Sequence, residues 1–474
     1  MKILYVASEA RPFIASGGLA DVAGSLPAAL SKEGAECRVV LPLYADIRQE
    51  FKDSMRYITH FNVPLSWRNQ YCGLFEAEQG GIKYYFLDNE YYFKRGGIYG
   101  FYDDAERFVF FSKAVLEMLV RIDYTPDIIN CNDWQTAMVP VFLNVFYRDI
   151  EKLHTVKTVF TIHNIAYQGK YGMEIATDIC GLPEHGVEIV RYDDNVNMMK
   201  GAIEESDVVS TVSPTYAEEI LDPWFGFGLD RILRDKRYKL CGILNGIDVK
   251  SYNPKTDLEI YKTYGPRSIE GKAHNKQELQ KAMGLEVNPD KPVIAMITRL
   301  VGMKGLDLVR YIFDSILAEG AQFVVLGTGD YIYENFFEEM SRRYPGQVAM
   351  KKGFLPDLAR KIYAGADMLL MPSKSEPCGL AQMVALRYGT IPIVRETGGL
   401  KDSIIDLGDE KGNGFTFKTY NAHDMLDAIK RALSLYHSTE QWNKVVAHAM
   451  SCDFSWQQSA KRYIEMYQKV LSGY

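Results

Sequence analysis

Residues 371–380 read M-P-S-K-S-E-P-C-G-L, and the carboxylate at their centre, Glu376, sits in an unusual setting. The apolar run 368–371 is short, as a buried parallel strand should be. Pro372 ends it, because proline cannot donate to a sheet ladder. Residues 379–387 then read as a helix with Leu380, Met383 and Val384 on one face. Glu376 therefore falls in a strand-to-helix loop, on the edge where open α/β sheets bind ligands. The plainer reading is an acid near a helix N-terminus, which stabilises by only ~0.3–1 kcal/mol. The other charged loops decide between the two.

Arg299 ends another apolar run, and Lys304 follows across Leu300-Val301-Gly302-Met303. Two cations flanking a glycine loop suit a diphosphate: arginine binds phosphate bidentately and lysine acts as a point charge. Gly327-Thr328-Gly329-Asp330 and Gly353-Phe354 end two further runs. Phe354 either stacks on a base or packs in the core, and spacing alone favours the core. Two stretches echo each other: Ser16-Gly17-Gly18-Leu19-Ala20-Asp21 and Thr397-Gly398-Gly399-Leu400-Lys401-Asp402 share G-G-L-x-D. Each is expected to follow a strand, to open a helix and to present backbone N–H groups to an anion. The Walker pattern and the dinucleotide G-x-G-x-x-G are absent, as are G-x-S-x-G and H-E-x-x-H. Charge on a leaving group is thus expected to be met by Arg, Lys and helix dipoles, with no metal. In the first half, Asp21, Asp133 and the pair His163-Asn164 all fall near strand ends. His163 by itself also reads as a buried, satisfied histidine. Residues 91–111 are dense in aromatics, which suits either the apolar faces of sugar rings or a core insert.

The elements that must position these groups alternate between strand and helix, which predicts a parallel, doubly wound α/β sheet. Strands are expected at 3–7, 38–41, 127–131, 158–162 and 207–212, with a helix that 16–22 leads into and that runs to about 32, and helices at 104–121 and 135–147. Residues 55–87 read as short strands and loops inserted in this domain. The turn Asn245-Gly246-Ile247-Asp248 and the polar, weakly periodic stretch 250–275 mark a boundary. A second alternation follows, with strands at 293–298, 323–326, 348–350, 368–371 and 391–394. An amphipathic helix at 455–471 ends the chain. The resulting division is 1–245, 246–454, and a last helix 455–474 returning to the first domain.

The formal charge of −7 over 474 residues argues against non-specific binding of nucleic acid or an anionic membrane surface. The seven cysteines are scattered with no C-x-x-C, which fits reduced thiols. The start of the chain lacks a signal-peptide pattern, and no stretch reaches the ~20 apolar residues of a membrane span. A cytoplasmic protein is expected.

Taken together, these landmarks resemble the bacterial glycogen synthases and plant starch synthases, retaining glucosyltransferases of the GT-B fold. The resemblance runs nearly end to end. It rests on Gly17-Gly18-Leu19-Ala20-Asp21, Arg95-Gly96-Gly97-Ile98-Tyr99-Gly100, Asn132-Asp133-Trp134, His163-Asn164, Asn245-Gly246-Ile247-Asp248, Arg299 with Lys304, Glu376-Pro377-Cys378-Gly379-Leu380 and Thr397-Gly398-Gly399-Leu400. It implies two Rossmann-like domains and a deep cleft. The C-terminal domain would hold ADP-glucose and the N-terminal domain an α-1,4-glucan, with no cofactor. Glucose would pass to the acceptor 4-hydroxyl with its configuration kept. The resemblance implies that Arg299 and Lys304 hold the diphosphate, that Gly398, Gly399 and Leu400 give N–H groups to the distal phosphate with Thr397 also on the donor side, and that Phe354 stacks on adenine. Glu376 would bind sugar hydroxyls and the developing positive charge, with Cys378, Gly379 and Leu380 beside it. His163 would contact the glucose 6-hydroxyl. Gly17, Gly18, Asp21 and Tyr99 would line the sugar, Asp133 and Trp134 the acceptor, and Asn164 and Asn245 would support them. One departure is Ala15, where many relatives carry lysine; another is Gln135, where histidine is frequent. Ala15 keeps UDP-glucose open as the donor. A non-catalytic glucan-binding relative is the alternative of another class.

Overall fold

The computed structural model describes residues 1–473. The chain forms two compact units, one of residues 1–212, 217–243 and 456–474, the other of 213–216 and 244–455.

The first unit is built on a nine-stranded sheet. Its strands are β1 (Lys2–Val6), β2 (Glu36–Pro42), β3 (Arg56–Leu65), β4 (Arg68–Gln79), β5 (Ile82–Asp88), β6 (Ile128–Asn132), β7 (Lys157–Ile162), β11 (Val208–Thr211) and β12 (Leu240–Gly242). The short strands β8 (Lys170–Tyr171), β9 (Arg191–Tyr192) and β10 (Asn195–Asn197) pair separately. The large sheet runs β12-β11-β7-β6-β1-β2-β5-β4-β3. Chain order reverses between β1 and β6, which pair in parallel with Val6 beside Cys131. That reversal opens a crevice at the carboxyl ends of both strands, where doubly wound sheets bind ligands. β1 is buried from Ile3 onward, so it reads as a continuous apolar run.

Two expectations for this unit are corrected. Residues 55–87 are not short strands and loops. They form antiparallel strands of 10 and 12 residues, β3 and β4, joined through β5 to the parallel sheet. The single helix expected over 135–147 is broken into a 3-10 turn Trp134–Thr136, an α-helix Met138–Phe142 and a π-turn Leu143–Tyr147. Pro140 lies in that stretch and has no N–H for an i→i−4 bond.

The second unit carries a six-stranded parallel sheet, β13 (Val293–Ile297), β14 (Gln322–Gly327), β15 (Val348–Lys352), β16 (Met368–Met371), β17 (Ile391–Arg395) and β18 (Phe415–Phe417). Its order is β15-β14-β13-β16-β17-β18. Chain order again reverses, here between β13 and β16, with Ile294 beside Met368. The polar stretch before the sheet is not all linker, because Glu270–Met283 is a helix. Its Lys272 and Lys276 are buried, so polar residues stand on the inner face and hide the helical period. Lys272 Nζ donates to the carbonyls of Tyr363 and Ala364 and to Thr390 Oγ1, which satisfies a charge that is otherwise costly to bury.

The closing helix Trp456–Ser472 belongs to the first unit. It buries Trp456, Tyr463, Met466, Tyr467 and Val470 and packs along the Gly18–Lys32 helix. Tyr467 OH reaches Asn130 Oδ1 on β6 at 2.8 Å. No helix is long and apolar enough to cross a membrane among the described residues.

Candidate functional site

In the second unit, the loops after β13 and β16 meet at the reversal. Glu376 is buried, and its Oε2 accepts from Lys304 Nζ at 2.6 Å and from Ser373 Oγ at 2.9 Å. A buried carboxylate without such partners would not be tolerated. Two backbone contacts lock the loops together. Lys374 N–H donates to the Met303 carbonyl at 2.9 Å, and Gly305 lies so close to Pro372 that a Cβ there would fall 2.1 Å from its carbonyl oxygen. Arg395, at the end of β17, donates to the carbonyls of Ser373 and Lys374 at 3.3 and 2.9 Å and so braces the Glu376 loop. Arg299 is exposed, and its guanidinium forms no hydrogen bond or ion pair among the described residues, so it is available to an anion.

Thr397, Gly398 and Gly399 are buried against this same loop. Gly398 has φ +45°, and a Cβ on it would stand 1.9 Å from the Glu376 carbonyl; at Gly399 the Cys378 carbonyl is 2.1 Å away. Gly399 N–H donates to the carbonyls of Glu376 and Pro377 at 3.2 and 3.1 Å. The expectation that this glycine pair simply exposes its N–H groups is corrected: the glycines permit backbone-to-backbone packing, and one N–H is spent on it. The Cys378 thiol is pushed up to about 12 by burial and stays protonated. The Asn245 N–H faces its sulfur, and the Asn245 side chain is buried with Oδ1 unpaired. Gly379 adopts φ +70° before the Ala381–Arg387 helix, and Leu380 is half-buried at that helix's start. Phe354 is 80% exposed at the end of β15, which overturns the core reading that its spacing favoured.

In the first unit, the loops after β1, β6 and β7 converge. Asn132 Oδ1 accepts from Tyr5 OH and from His163 Nε2, both at 2.9 Å. With Tyr5 donating to the same oxygen, the His163 proton is assigned to Nε2, leaving Nδ1 as an acceptor. Burial pushes His163 down to about 3, so the ring is neutral at ordinary pH. Asp133 Oδ1 accepts the His163 N–H at 2.8 Å and the Asn164 N–H at 3.4 Å. Burial outweighs these bonds and raises the Asp133 carboxyl to about 7. Its backbone has φ +56° and ψ 179°, a region nearly reserved for glycine and costing of order 1–3 kcal/mol. Strain of this kind at a strand end, beside a shifted carboxyl, makes Asp133 a candidate functional residue.

Tyr99 OH pairs with Ser8 Oγ at 2.7 Å. The loop carrying Tyr99 is held by the fully buried Arg107, which donates to the Ile98 and Tyr92 carbonyls and to Asp104. Asp21 pairs with Arg11 Nε at 2.6 Å. Trp134 is enclosed by Phe108, Tyr171 and Gly169, so its ring is packing rather than an open platform. Among 91–111, Tyr92 and Phe93 are core, while Tyr91 and Tyr102 are exposed. Gly17 and Gly18 are exposed at the start of the Gly18–Lys32 helix, but the Gly17 N–H is already taken by the Glu9 carboxylate. The expected free anion site is thus corrected here too.

Sequence reasoning missed Glu9, Ser373 and Arg395. Ser373 had a signal, standing three residues before Glu376 in one loop. Glu9 had a weaker one, a lone acid in an otherwise apolar strand exit. Arg395 had none. No group of three or more His, Cys, Asp or Glu close enough to hold a metal occurs among the described residues.

Comparison with known proteins agrees across the chain. Residues 2–235 match the starch synthase catalytic domain, and 279–447 match the glycosyl transferases group 1. A glycogen synthase from Clostridium botulinum (strain Alaska E43 / Type E3) is 50% identical over 99% of both chains. One from Bacillus cereus (strain B4264) is 49% identical over 99% of this chain and 100% of its own. The catalytic domain of starch synthase IV from Arabidopsis thaliana, solved bound to ADP and acarbose, superposes with a TM-score of 0.90 at 35% identity, covering 99% of each chain. With half its residues shared along the full length and two doubly wound units of matching topology, the chain belongs to the glycogen and starch synthase family of glycosyltransferases, which have the GT-B fold.

Proposed function

We propose that the protein transfers glucose from ADP-glucose to the non-reducing-end 4-hydroxyl of an α-1,4-glucan and keeps the α configuration. The observation that carries this is the Glu376–Lys304–Ser373 cluster beside the unpaired Arg299, at the chain reversal of the second sheet. Cations next to a carboxylate at a strand edge suit a sugar diphosphate: Arg299 and Lys304 take the phosphates and Glu376 takes the sugar. Thr397, Gly398 and Gly399 line the distal phosphate, and the exposed ring of Phe354 offers a face to adenine. The ADP-bound starch synthase relative supports the choice of nucleotide.

In the first unit, His163 Nδ1 accepts from the donor-sugar 6-hydroxyl. Asp133, Tyr99 and Asp21 meet sugar hydroxyls, while Asn164 and Trp134 hold their neighbours in place, as Asn245 does in the second unit. The bond between the anomeric carbon and the phosphate oxygen breaks, and ADP departs with the electron pair. The acceptor O4 attacks from the same face, and its proton passes to the departing phosphate oxygen. Lys304 and Arg299 stabilise the charge that grows there, the kind of preorganised electrostatics that supplies most of many rate enhancements. No carboxylate nucleophile is invoked. Domain boundaries near 245 and 455 follow the same reading, with the acceptor on the N-terminal part.

UDP-glucose is the second reading, favoured by Ala15, which is exposed and leaves the Ser16–Gly17 turn without a lysine. Initial rates with ADP-glucose and UDP-glucose on maltoheptaose, with product length and anomeric configuration read by NMR, decide. ADP-glucose preferred with α-linked extension upholds the proposal. UDP-glucose preferred, inverted linkages, or no transfer from either donor overturns it.

A further inference from the structure

The Tyr331–Arg343 helix starts directly after the Gly327–Asp330 loop, and Glu334 lies in its first turn. The Glu334 side chain is 12% exposed and reaches back to that loop. Its Oε1 accepts from Thr328 Oγ1 at 2.6 Å and from the Gly329 N–H at 2.9 Å. Its Oε2 pairs with Nζ of Lys352, the last residue of β15, at 2.9 Å. Lys352 also meets Glu338 Oε1 at 2.9 Å, one turn further along the same helix. The Thr328 hydroxyl, the Gly329 N–H and the Lys352 ammonium hold the Glu334 carboxyl down to about 2. A lone surface ion pair contributes little. Glu334 instead joins two separate strand exits through three partners, and the transfer chemistry described above makes no use of it.

The loop that Glu334 holds runs between Arg299 and Phe354. On the Arg299 side, Leu300 N–H donates to the Thr328 carbonyl at 2.9 Å and Asp330 N–H to the Leu300 carbonyl at 2.7 Å. Gly329 allows this approach, since a Cβ there would fall 2.4 Å from the Leu300 carbonyl oxygen. On the Phe354 side, Gly327 is in register with Lys352, and Gly353 N–H donates to the Gly327 carbonyl at a longer 3.2 Å. Phe354 follows at once and is 80% exposed, so its place depends on the strand exit that carries it. Resting on the reading that ADP puts its phosphates on Arg299 and its base on Phe354, we infer that Glu334 is a positioning residue for the donor nucleotide. One of its oxygens holds the Thr328–Gly329 turn and the other holds Lys352, which fixes the spacing between the guanidinium and the ring. A nucleoside diphosphate must reach both groups at once and gains from that preorganisation, whereas a bare diphosphate needs only the cations.

The test uses the full chain. Glu334→Ala removes all three bonds, so the KM for ADP-glucose should rise about tenfold. The maximal rate and the KM for maltoheptaose should stay within about twofold, because ground state and transition state lose the same binding. Inhibition separates the two ends of the nucleotide: the Ki of ADP should rise about tenfold and that of inorganic pyrophosphate by less than about twofold. Glu334→Gln keeps an oxygen for Thr328 and Gly329 and should recover part of the loss; it also serves if Glu334→Ala fails to fold. Lys352→Met cuts the same link from the other side. It should weaken ADP as well, and in the double variant it should add less than about twofold to Glu334→Ala. An unchanged ADP Ki in the folded Glu334 variants, equal losses for ADP and pyrophosphate, or fully additive losses in the double variant overturns the inference alone. A parent protein that ADP does not inhibit overturns the functional reading, and the inference with it.

Discussion

The two glycine pairs share a sequence pattern and do different work. Gly398 and Gly399 are buried, and neither has room for a methyl group, because carbonyls of Glu376 and Cys378 stand where a Cβ would go. Gly17 and Gly18 are exposed; a Cβ on Gly18 would meet nothing within 4 Å, and one on Gly17 only Glu9. The later pair is a hinge of close packing that presses the β17 exit against the Glu376 loop. The earlier pair is an open doorstep over a buried acid. The same G-G-L thus gives a buried, close-packed corner in one unit and an exposed turn over an acid in the other. The neighbours differ: Lys304 and Arg395 bond to the Glu376 loop, while Glu9 takes the Ser16 and Gly17 N–H groups of the other.

The comparison can be broken most severely at Glu376. Glu376→Gln keeps the geometry and removes the charge, so kcat should fall by roughly 10²–10³-fold, the scale on which preorganised electrostatic groups act. A near-parental rate in a glucosyl-transfer assay would remove Glu376 from the chemistry. Next come the glycines. Gly399→Ala forces the backbone to move and should cost at least ~2–3 kcal/mol, as severe overpacking does. Gly18→Ala should stay within ~1 kcal/mol of the parent, on the stabilising side, because alanine is the better helix residue. Equal losses in urea unfolding of the two variants would erase the contrast. Ser373→Ala should be milder, lowering kcat up to about tenfold for the loss of one hydrogen bond to Glu376, with Ser373→Thr recovering part of it.

The smallest effect is on pH dependence in the first unit. The Asp133 carboxyl, ordinarily at 3.8, sits at about 7 when folded. A raised carboxyl binds its proton more tightly folded than unfolded. Its contribution to stability is therefore complete below about 3.8 and lost as the pH rises to about 7. Asp133→Asn keeps an oxygen for the His163 and Asn164 N–H groups and should remove that slope. Thermal unfolding between pH 4 and pH 8 checks it: the variant gains on the parent as pH rises, and parallel curves would contradict the assignment.

Much of the scaffold was legible because it rests on patterns the backbone enforces. The apolar run at β16 and the stripe of Trp456, Tyr463, Met466, Tyr467 and Val470 could hardly be anything else. Strand ends bearing Arg299, His163 and Asp133 were readable for the same reason. Features set by tertiary contact were not. The helix Glu270–Met283 hid behind buried lysines such as Lys272, whose carbonyl partners Tyr363 and Ala364 are 91 and 92 residues away. The long β3–β4 hairpin carries both polar and aromatic residues on its open face, which blurs its alternation. Phe354 looked like core because exposure of a large ring after a strand is unusual without a ligand to cover it. Glu9 escaped because its partners come from a turn that folds back onto it at Ser16 and Gly17.

A structure of the protein crystallised with ADP tests the division of labour between the two loops most directly. The account predicts the phosphates within hydrogen-bond reach of the Arg299 guanidinium and Lys304 Nζ, with adenine against Phe354. Phosphates seated instead on the Gly17–Gly18 turn beside Glu9 would contradict it.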